Sequence, residues 1–314
     1  MDQYSASDHS TGFILIAVLW VTMLLSIFAL NFSTSSRLQG TQALNMEKMY
    51  QEEQLLQSAL EYGYHQYLKY RENKGLVDQK EEIESITELE YDLWYPRYEP
   101  YTKDFGNTTI AIRLLNVGGK FNINNTKLHL LQDVLSKCGV ENGTEMTAVS
   151  NSILDWMDKD SMKRAEGAEK DYYMKRDEPY LPKNERMESV EELLLIKGVT
   201  PEIYYGSDQH PGLKDLFNVY GQGEKMDINS ASPQTFALIP GLSQDLIQGI
   251  STLRQDKRLT KLSELGSLIP QRYFSQVQDY YGLSQVKKIR VEASFVLDKD
   301  QYGRSASKIY DIEE

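Results

Sequence analysis

Acidic residues concentrate in one stretch near the middle of the chain: Asp155-Trp-Met-Asp158-Lys-Asp160, then Glu166, Glu169 and Asp171. Grouped carboxylates suit hard cations such as Ca²⁺, which takes six to eight oxygen ligands. If Asp158 is position 1 of an EF-hand loop, Asp160 falls at position 3 and Glu169 at position 12. Met162 and Lys163, however, stand where an EF-hand needs an oxygen donor and a glycine. The stretch therefore predicts either an irregular calcium loop or a solvated acidic surface.

Two segments resemble helix-hairpin-helix units, in which an apolar helix ends at a glycine and the chain turns back. They are Glu191-Glu-Leu-Leu-Leu-Ile-Lys-Gly-Val199 and Phe236-Ala-Leu-Ile-Pro-Gly-Leu242. Glycine suits the turn because it tolerates positive φ. In nucleic-acid proteins such hairpins bind phosphate through backbone amides, but Glu188, Glu191 and Asp245 would repel a phosphate backbone here. A structural role is favoured, and DNA binding is the alternative.

Composition narrows the remaining chemistry. The chain has 314 residues, of which 40% are hydrophobic and 25% charged, with a formal net charge of −12. These values exclude a wholly disordered or collagen-like chain and argue against non-specific nucleic-acid binding. The single Cys138 excludes an intramolecular disulfide and a thiolate metal cluster. The sequence contains no HExxH zinc helix, P-loop, G-x-S-x-G or G-x-G-x-x-G motif, so these catalytic motifs are absent from it.

The N-terminal segment carries the next signal. Phe13 to Phe32 forms an uncharged apolar run of 20 residues, long enough to cross a bilayer as a helix. Its apolar core is too long for a cleaved secretory signal. Gly12 directly precedes the run, which resembles a prepilin leader that a peptidase cuts after glycine. The alternatives are a plain membrane anchor and a processed leader that leaves Phe13 as the mature N-terminus.

The periodicity predicts the elements that position these groups. Apolar residues at helical spacing continue to about Tyr70, which favours one long helix, and residues 74–106 read as loop with weak strand content. Alternation around Ile112 predicts a strand ended by Gly118 and Gly119, and alternation from Val291 to Ile312 predicts a terminal hairpin with a turn over residues 300–303. Residues 122–282 are mainly helical in pattern. We therefore expect an α+β fold: a long N-terminal helix packed on a small antiparallel sheet, with a large inserted helical domain containing helix-hairpin-helix-like units.

Several motifs in fixed order resemble one family, the K minor pseudopilins of type II secretion. They are Gly12 with its Phe-led span, Gly119-Lys-Phe-Asn-Ile-Asn124, Ile153-Leu-Asp-Trp-Met-Asp-Lys-Asp160, Gly167-Ala-Glu-Lys-Asp-Tyr-Tyr173, Pro179-Tyr180 with Asn184, Val190 to Val199, and Asp227-Ile-Asn-Ser-Ala-Ser-Pro233. Ala17 also fits, because K proteins lack the glutamate that most pilin-like chains carry at the fifth mature position. The resemblance implies a leader over 1–12, a transmembrane part of the stem helix over 13–32, a pilin-like head over 33–121 and 283–314, and an insert over 122–282.

The resemblance also implies a function. The chain would be a non-enzymatic subunit, cleaved after Gly12 by prepilin peptidase and methylated at Phe13. It would span the bacterial inner membrane once, with its head in the periplasm. It would cap the pseudopilus tip with the I and J minor pseudopilins, prime assembly of the major pseudopilin filament and help to export folded proteins. Nucleic acid is not an expected partner. A membrane-anchored DNA receptor and a calcium-dependent hydrolase are the rival hypotheses.

Calcium is the expected cofactor, because the family's helical domain holds two Ca²⁺ ions where it is described. Carried over residue by residue, the ligands implied by the resemblance are Asp155, Asp158, Asp160, Glu169 and Asn184. Asp171 and Glu166 are weaker candidates.

Overall fold

A computed structural model describes residues 10–79, 93–141, 143–221, 225–298 and 301–312. By their contacts the residues form two compact units, Met1–Leu55 and Leu56–Glu314. Three expected features lie partly outside the described residues. They are most of the leader over residues 1–12, residues 80–92 of the stretch 74–106 expected as loop with weak strand content, and the first residue of the turn expected over 300–303.

The secondary structure begins with one long helix and ends with a hairpin. The helices are α1 (Ser10–Gln79), α2 (Leu128–Lys137), α3 (Thr144–Met157), α4 (Lys170–Tyr173), α5 (Pro201–Tyr205), α6 (Leu213–Leu216), α7 (Gln244–Asp256) and α8 (Gln271–Tyr280). The strands are β1 (Arg97–Phe105), β2 (Thr108–Asn116), β3 (Phe121–Asn122), β4 (Phe217–Asn218), β5 (Met226–Asp227), β6 (Tyr281–Gly282), β7 (Lys288–Asp298) and β8 (Gln301–Asp311). Short 3₁₀ helices cover Val117–Gly119, Ile123–Asn125, Val190–Leu195, Pro233–Leu238 and Leu262–Ser267.

The first unit contains the N-terminal part of α1. The large apolar side chains of this part are exposed. Phe13 at the start of the apolar run is 74% exposed, and Phe32 at its end is 76% exposed. Within the described residues this is the one helix long and apolar enough to cross a membrane, by length and composition. The helix continues to Gln79 rather than ending near Tyr70. Two features explain the extension: the segment contains no proline, and many of its side chains favour a helix. Lys, Glu and Leu have high helix propensity even where no apolar face persists.

A four-stranded antiparallel sheet organises the second unit, in the order β1-β2-β7-β8 among the described strands. The strand expected around Ile112 and the terminal hairpin are confirmed. Residues 74–106 were expected as loop with weak strand content, and the structure shows more strand than that, because β1 is a full strand over Arg97–Phe105. Pro100 and a bulge between Arg97 and Tyr101 conceal its alternation, and its outer edge has no strand partner in the described sheet, where proline is tolerated.

The second unit also contains the C-terminal part of α1, which packs on this sheet. Leu56 and Leu60 are fully buried, as are Ile112 and Val291 on the sheet. Gly63 lies at the closest approach: a Cβ there would stand 2.8 Å from Ile112 Cγ2 and 2.8 Å from Val291 Cγ1. A glycine is therefore what lets the helix backbone approach the strands this closely.

The chain between β2 and β7 leaves the sheet and returns to it. β2 and β7 are direct neighbours, with Asn116 opposite Ile289, although about 170 residues separate them in sequence. The intervening segment folds around its own apolar cluster, which extends in sequence from Phe121 to Tyr281. The α+β fold, with a long helix on an antiparallel sheet and a helical region between its strands, is thus confirmed.

The helix-hairpin-helix detail is not confirmed. In both segments the first element is a six-residue 3₁₀ helix, Val190–Leu195 or Pro233–Leu238, and not an α-helix. The turn glycines behave as expected, with φ +86° at Gly198 and +80° at Gly241. At Gly198 a Cβ would also stand 2.8 Å from Val149 Cγ2, so this turn packs directly on α3.

Candidate functional site

Helix α3 supplies the base of the acidic site. Val149, Ile153 and Trp156 are buried on its apolar face. Asp155 belongs to the last turn, and the helix ends where Asp158 adopts an extended backbone. The amphipathic pattern of α3 therefore buries Asp155. The acidic residues that follow lie in the loop after the end of the helix.

The loop brings three of the predicted ligands together. Oxygen atoms of Asp158, Asp160 and Glu169 all lie within 4.8 Å of one another. Asn184 joins them from a distant part of the sequence: its Nδ2 donates to the carbonyl oxygen of Asp160 at 3.0 Å, and its backbone N–H donates to the carbonyl oxygen of Trp156 at 3.0 Å. The backbone of Asn184 has φ +50°, which asparagine tolerates better than most residues. Four of the five predicted ligands are thus neighbours.

Four buried oxygens of this group lack hydrogen-bonding partners among the described residues. They are Asp158 Oδ1, both carboxylate oxygens of Glu169 and Asn184 Oδ1. Glu169 as a whole is only 5% exposed. Burial raises the pKa of Glu169, and the negative charges of Asp155 and Asp158 raise it further. Buried oxygens without partners are costly, and a divalent cation would satisfy all of them at once. These residues fit a hard cation.

Asp155 is placed differently from the other predicted ligands. Its side chain is completely buried. Its Oδ1 accepts from Arg164 Nη1 at 2.8 Å, and its Oδ2 accepts from the backbone N–H groups of Ala168 at 3.0 Å and Arg164 at 3.2 Å. The structure therefore leaves Asp155 outside the group of three carboxylates and uses it to anchor the returning loop.

Arg164 is the residue that the motif analysis missed. The same Nη1 atom that binds Asp155 also contacts Asp158 Oδ2. Both carboxylates raise the pKa of Arg164 above its usual value. A lone arginine inside an acidic run was the available signal, but sequence spacing alone does not show which carboxylates it reaches.

The two weaker candidates lie outside the group. Glu166 and Asp171 are exposed. Glu166 has φ +58°, and its carbonyl oxygen, not its carboxylate, accepts a bond from Lys197 Nζ at 2.8 Å. Next to it, a Cβ on Gly167 would stand 2.0 Å from Asp155 Oδ2. Glycine is therefore required at 167 for the loop to close over Asp155.

The processing site expected at Gly12 and Phe13 lies in α1, whose described residues begin at Ser10. Phe13 is exposed. The structure gives no further test of cleavage there. In the first hairpin segment, Glu192 accepts hydrogen bonds from Lys183 Nζ at 2.8 Å and from Trp156 Nε1 at 3.2 Å. This acidic residue therefore fixes the position of the Trp156 ring at the end of α3.

The described residues combine an apolar N-terminal helix, a small antiparallel sheet on which the C-terminal part of this helix packs, and an inserted helical region with grouped carboxylates. Residues 113–206 match the family model of the type II secretion system (T2SS), protein K. The match confirms the resemblance to K proteins over a segment that contains all the predicted metal ligands. It describes a structural component of a secretion system and not an enzyme.

Comparison with solved structures and with characterised proteins gives two further findings. A structure of the GspK-GspI-GspJ complex from the enterotoxigenic Escherichia coli type 2 secretion system contains a similar chain, with a TM-score of 0.48 and 13% identity over 84% of this chain and 94% of that chain. No curated protein matches the sequence.

Proposed function

We propose that this chain is a minor pseudopilin of type II secretion, of the K type. The match of residues 113–206 to the protein K family carries the proposal. The exposed apolar run of α1 supports it, because such a surface needs a membrane or neighbouring apolar helices to cover it. In this role the first unit anchors the chain in the inner membrane, and the second unit stands in the periplasm.

Processing belongs to the same proposal. Prepilin peptidase cleaves after Gly12, and Phe13 becomes the methylated N-terminus. Pilin-like subunits usually pair a glutamate with the N-terminal amine of a neighbour, and this chain has Ala17 there instead. A subunit at the filament tip has no subunit above it to pair with, and an unpaired buried carboxylate would be costly. The substitution therefore agrees with a place at the tip.

Assembly partners follow from the same assignment. The chain caps the pseudopilus with the I and J minor pseudopilins, primes growth of the major pseudopilin filament and supports the export of folded proteins. The solved complex holds its GspK together with GspI and GspJ.

Calcium binding completes the proposal. Asp158, Asp160, Glu169 and Asn184 supply the oxygens, and the ion neutralises carboxylates that otherwise repel one another. Bound there, a cation ties the end of α3 to the loop around Asn184. Its role is structural, since it holds the inserted helical region in one conformation.

The decisive experiment is to determine the N-terminus and intact mass of the chain extracted from membranes, with and without prepilin peptidase. A chain that starts at methylated Phe13 supports the proposal. The variant Gly12→Leu should block the cleavage. An uncut chain in the presence of active peptidase contradicts the pseudopilin assignment. Co-purification with the I and J proteins, compared between the processed chain and Gly12→Leu, then tests the partners.

A further inference from the structure

The acidic site contains a positive charge of its own. Arg164 Nη1 lies 2.8 Å from Asp155 Oδ1 and contacts Asp158 Oδ2. It therefore occupies the space between these two carboxylates, which is where a cation bridging them would stand. Each Asp155 oxygen already accepts two hydrogen bonds: Oδ1 from Nη1 and the backbone N–H of Arg164, and Oδ2 from the backbone N–H groups of Arg164 and Ala168. An ion at Asp155 would therefore have to displace one of these donors.

The number of oxygens outside Asp155 limits how many ions the site can hold. Asp158 Oδ1, the two Glu169 oxygens and Asn184 Oδ1 are without partners in the part of the chain that the structure describes. Asp160 adds a carboxylate within reach of Asp158 and Glu169. One Ca²⁺ ion needs six to eight oxygens, which these groups provide when a carbonyl or water completes the shell. Two separate ions would need about twice as many.

The charges agree with a single ion. Asp155 counts with Asp158, Asp160 and Glu169, because the guanidinium of Arg164 binds it too, so the site holds four negative charges and one positive charge. One divalent ion leaves a net charge of −1. A second ion would stand against Arg164, and like charges this close repel strongly in a partly buried site.

We infer that this chain holds a single divalent cation, and that Arg164 takes the place of a second one by neutralising Asp155 and Asp158. The inference rests on the proposed calcium site and goes beyond it, since the family resemblance implies two ions. Arg164 acts here as a positioning residue: it keeps Asp155 bonded to the loop and leaves Asp158 Oδ1, Asp160 and Glu169 to the ion.

The test is the number of Ca²⁺ ions bound per full-length chain in detergent, measured by equilibrium dialysis and native mass spectrometry. We expect one ion for the unaltered chain and two for Arg164→Gln, because the variant frees the carboxylates of Asp155 and Asp158. Arg164→Lys should stay at one, since it keeps the charge. Lys163→Gln is the matched control: it removes the neighbouring, exposed positive charge and should also stay at one.

The outcomes separate the inference from the proposed function. Two ions on the unaltered chain overturn the inference and leave the calcium site standing, whereas no bound ion overturns both. A folded Arg164→Gln that still binds one ion contradicts the replacement role. If Arg164→Gln does not fold, the unaltered chain and Arg164→Lys decide the matter, and more than one ion on either of them overturns the inference. None of these results affects the test of processing at Gly12.

Discussion

Arg254 and Glu99 form a buried ion pair that joins helix α7 to strand β1, with Arg254 Nη2 2.5 Å from Glu99 Oε1. The arginine side chain is completely buried. Its Nη1 also donates to the carbonyl oxygens of Ile228 at 2.9 Å and Ala231 at 2.7 Å. One guanidinium thus connects the antiparallel sheet to the inserted helical region through a charge and two backbone groups.

Removing Glu99 should destabilise this connection severely. Glu99→Ala leaves an uncompensated buried charge, and we expect the free energy of unfolding to fall by about 3–5 kcal/mol. Glu99→Gln keeps a hydrogen-bond acceptor and should lose less. Urea unfolding of the full-length chain measures both. Asp311→Asn, at an exposed pair with Lys288, is the control and should change stability by under about 1 kcal/mol. Equal losses for Glu99→Ala and Asp311→Asn would contradict the structural role.

Gly63 sets the distance between α1 and the sheet, and two glycines in the same helix should respond in opposite ways to alanine. Gly63→Ala places a Cβ against Ile112 and Val291, so overpacking of about 1–3 kcal/mol should outweigh the gain in helix propensity. Gly75→Ala meets nothing within 4 Å and should stabilise the chain by about 0.5–1 kcal/mol. Melting temperatures of the two variants test this, and a stabilising Gly63→Ala would show that the contact is loose.

Sequence patterns predicted the parts of this fold in which local periodicity and burial agree. The alternation around Ile112 and from Val291 to Leu297 predicted β2 and β7 correctly, because each of these strands buries apolar side chains such as Ile112 and Val291 next to Gly63 of α1. The spacing of Asp158, Asp160 and Glu169 marked the site because all three lie on one loop. Within residues 122–282, whose pattern is mainly helical, α3 forms as expected, because its apolar face meets the core.

Other features depend on contacts between distant residues, which spacing does not contain. β1 includes Pro100 and several charged residues, so only its pairing with β2 makes it a strand. The segment Glu191–Val199 has the composition of an apolar helix ended by glycine, but Val190–Leu195 forms a 3₁₀ helix, and the turn at Gly198 packs on Val149 of α3. Arg164 reaches Asp155 because the loop after α3 folds back on the helix end, where the side chain and the backbone N–H of Arg164 both donate to this carboxylate.

Acid should weaken the chain partly through Glu264. Burial opposes ionisation of this carboxyl, but Lys257 Nζ at 2.9 Å and the backbone N–H groups of Thr260 and Lys261, both at 2.8 Å, outweigh it and lower its pKa to about 2. Since the pKa in the folded state lies below the ordinary value of 4.5, the stabilisation is complete above about pH 4.5 and is lost as the pH falls toward 2.

Unfolding free energies measured from pH 6 down to pH 2.5 should therefore decrease less steeply for Glu264→Gln than for the unaltered chain. Glu188→Gln, at a largely exposed carboxyl that also faces a lysine, is the matched control and should leave the slope unchanged. Parallel curves for all three proteins would show that Glu264 does not contribute to the acid sensitivity.

Chelation should loosen the acidic loop without unfolding the sheet. Extracellular calcium sites typically have dissociation constants of about 10⁻⁴–10⁻³ M, so millimolar Ca²⁺ adds only about 1 kcal/mol by linkage. That is too little to control the sheet, whose strands are held by their own ladder and by α1. It is enough to change local opening around Asp158 and Asn184, where buried oxygens lose their cation and the carboxylates repel one another.

Hydrogen exchange with and without chelator should therefore differ over residues 150–190 and agree over β2 and β7. Glu169→Gln should exchange as the chelated protein does even with Ca²⁺ present, whereas Glu166→Gln should not. Identical exchange over residues 150–190 in both conditions would exclude a calcium ion that stabilises this loop.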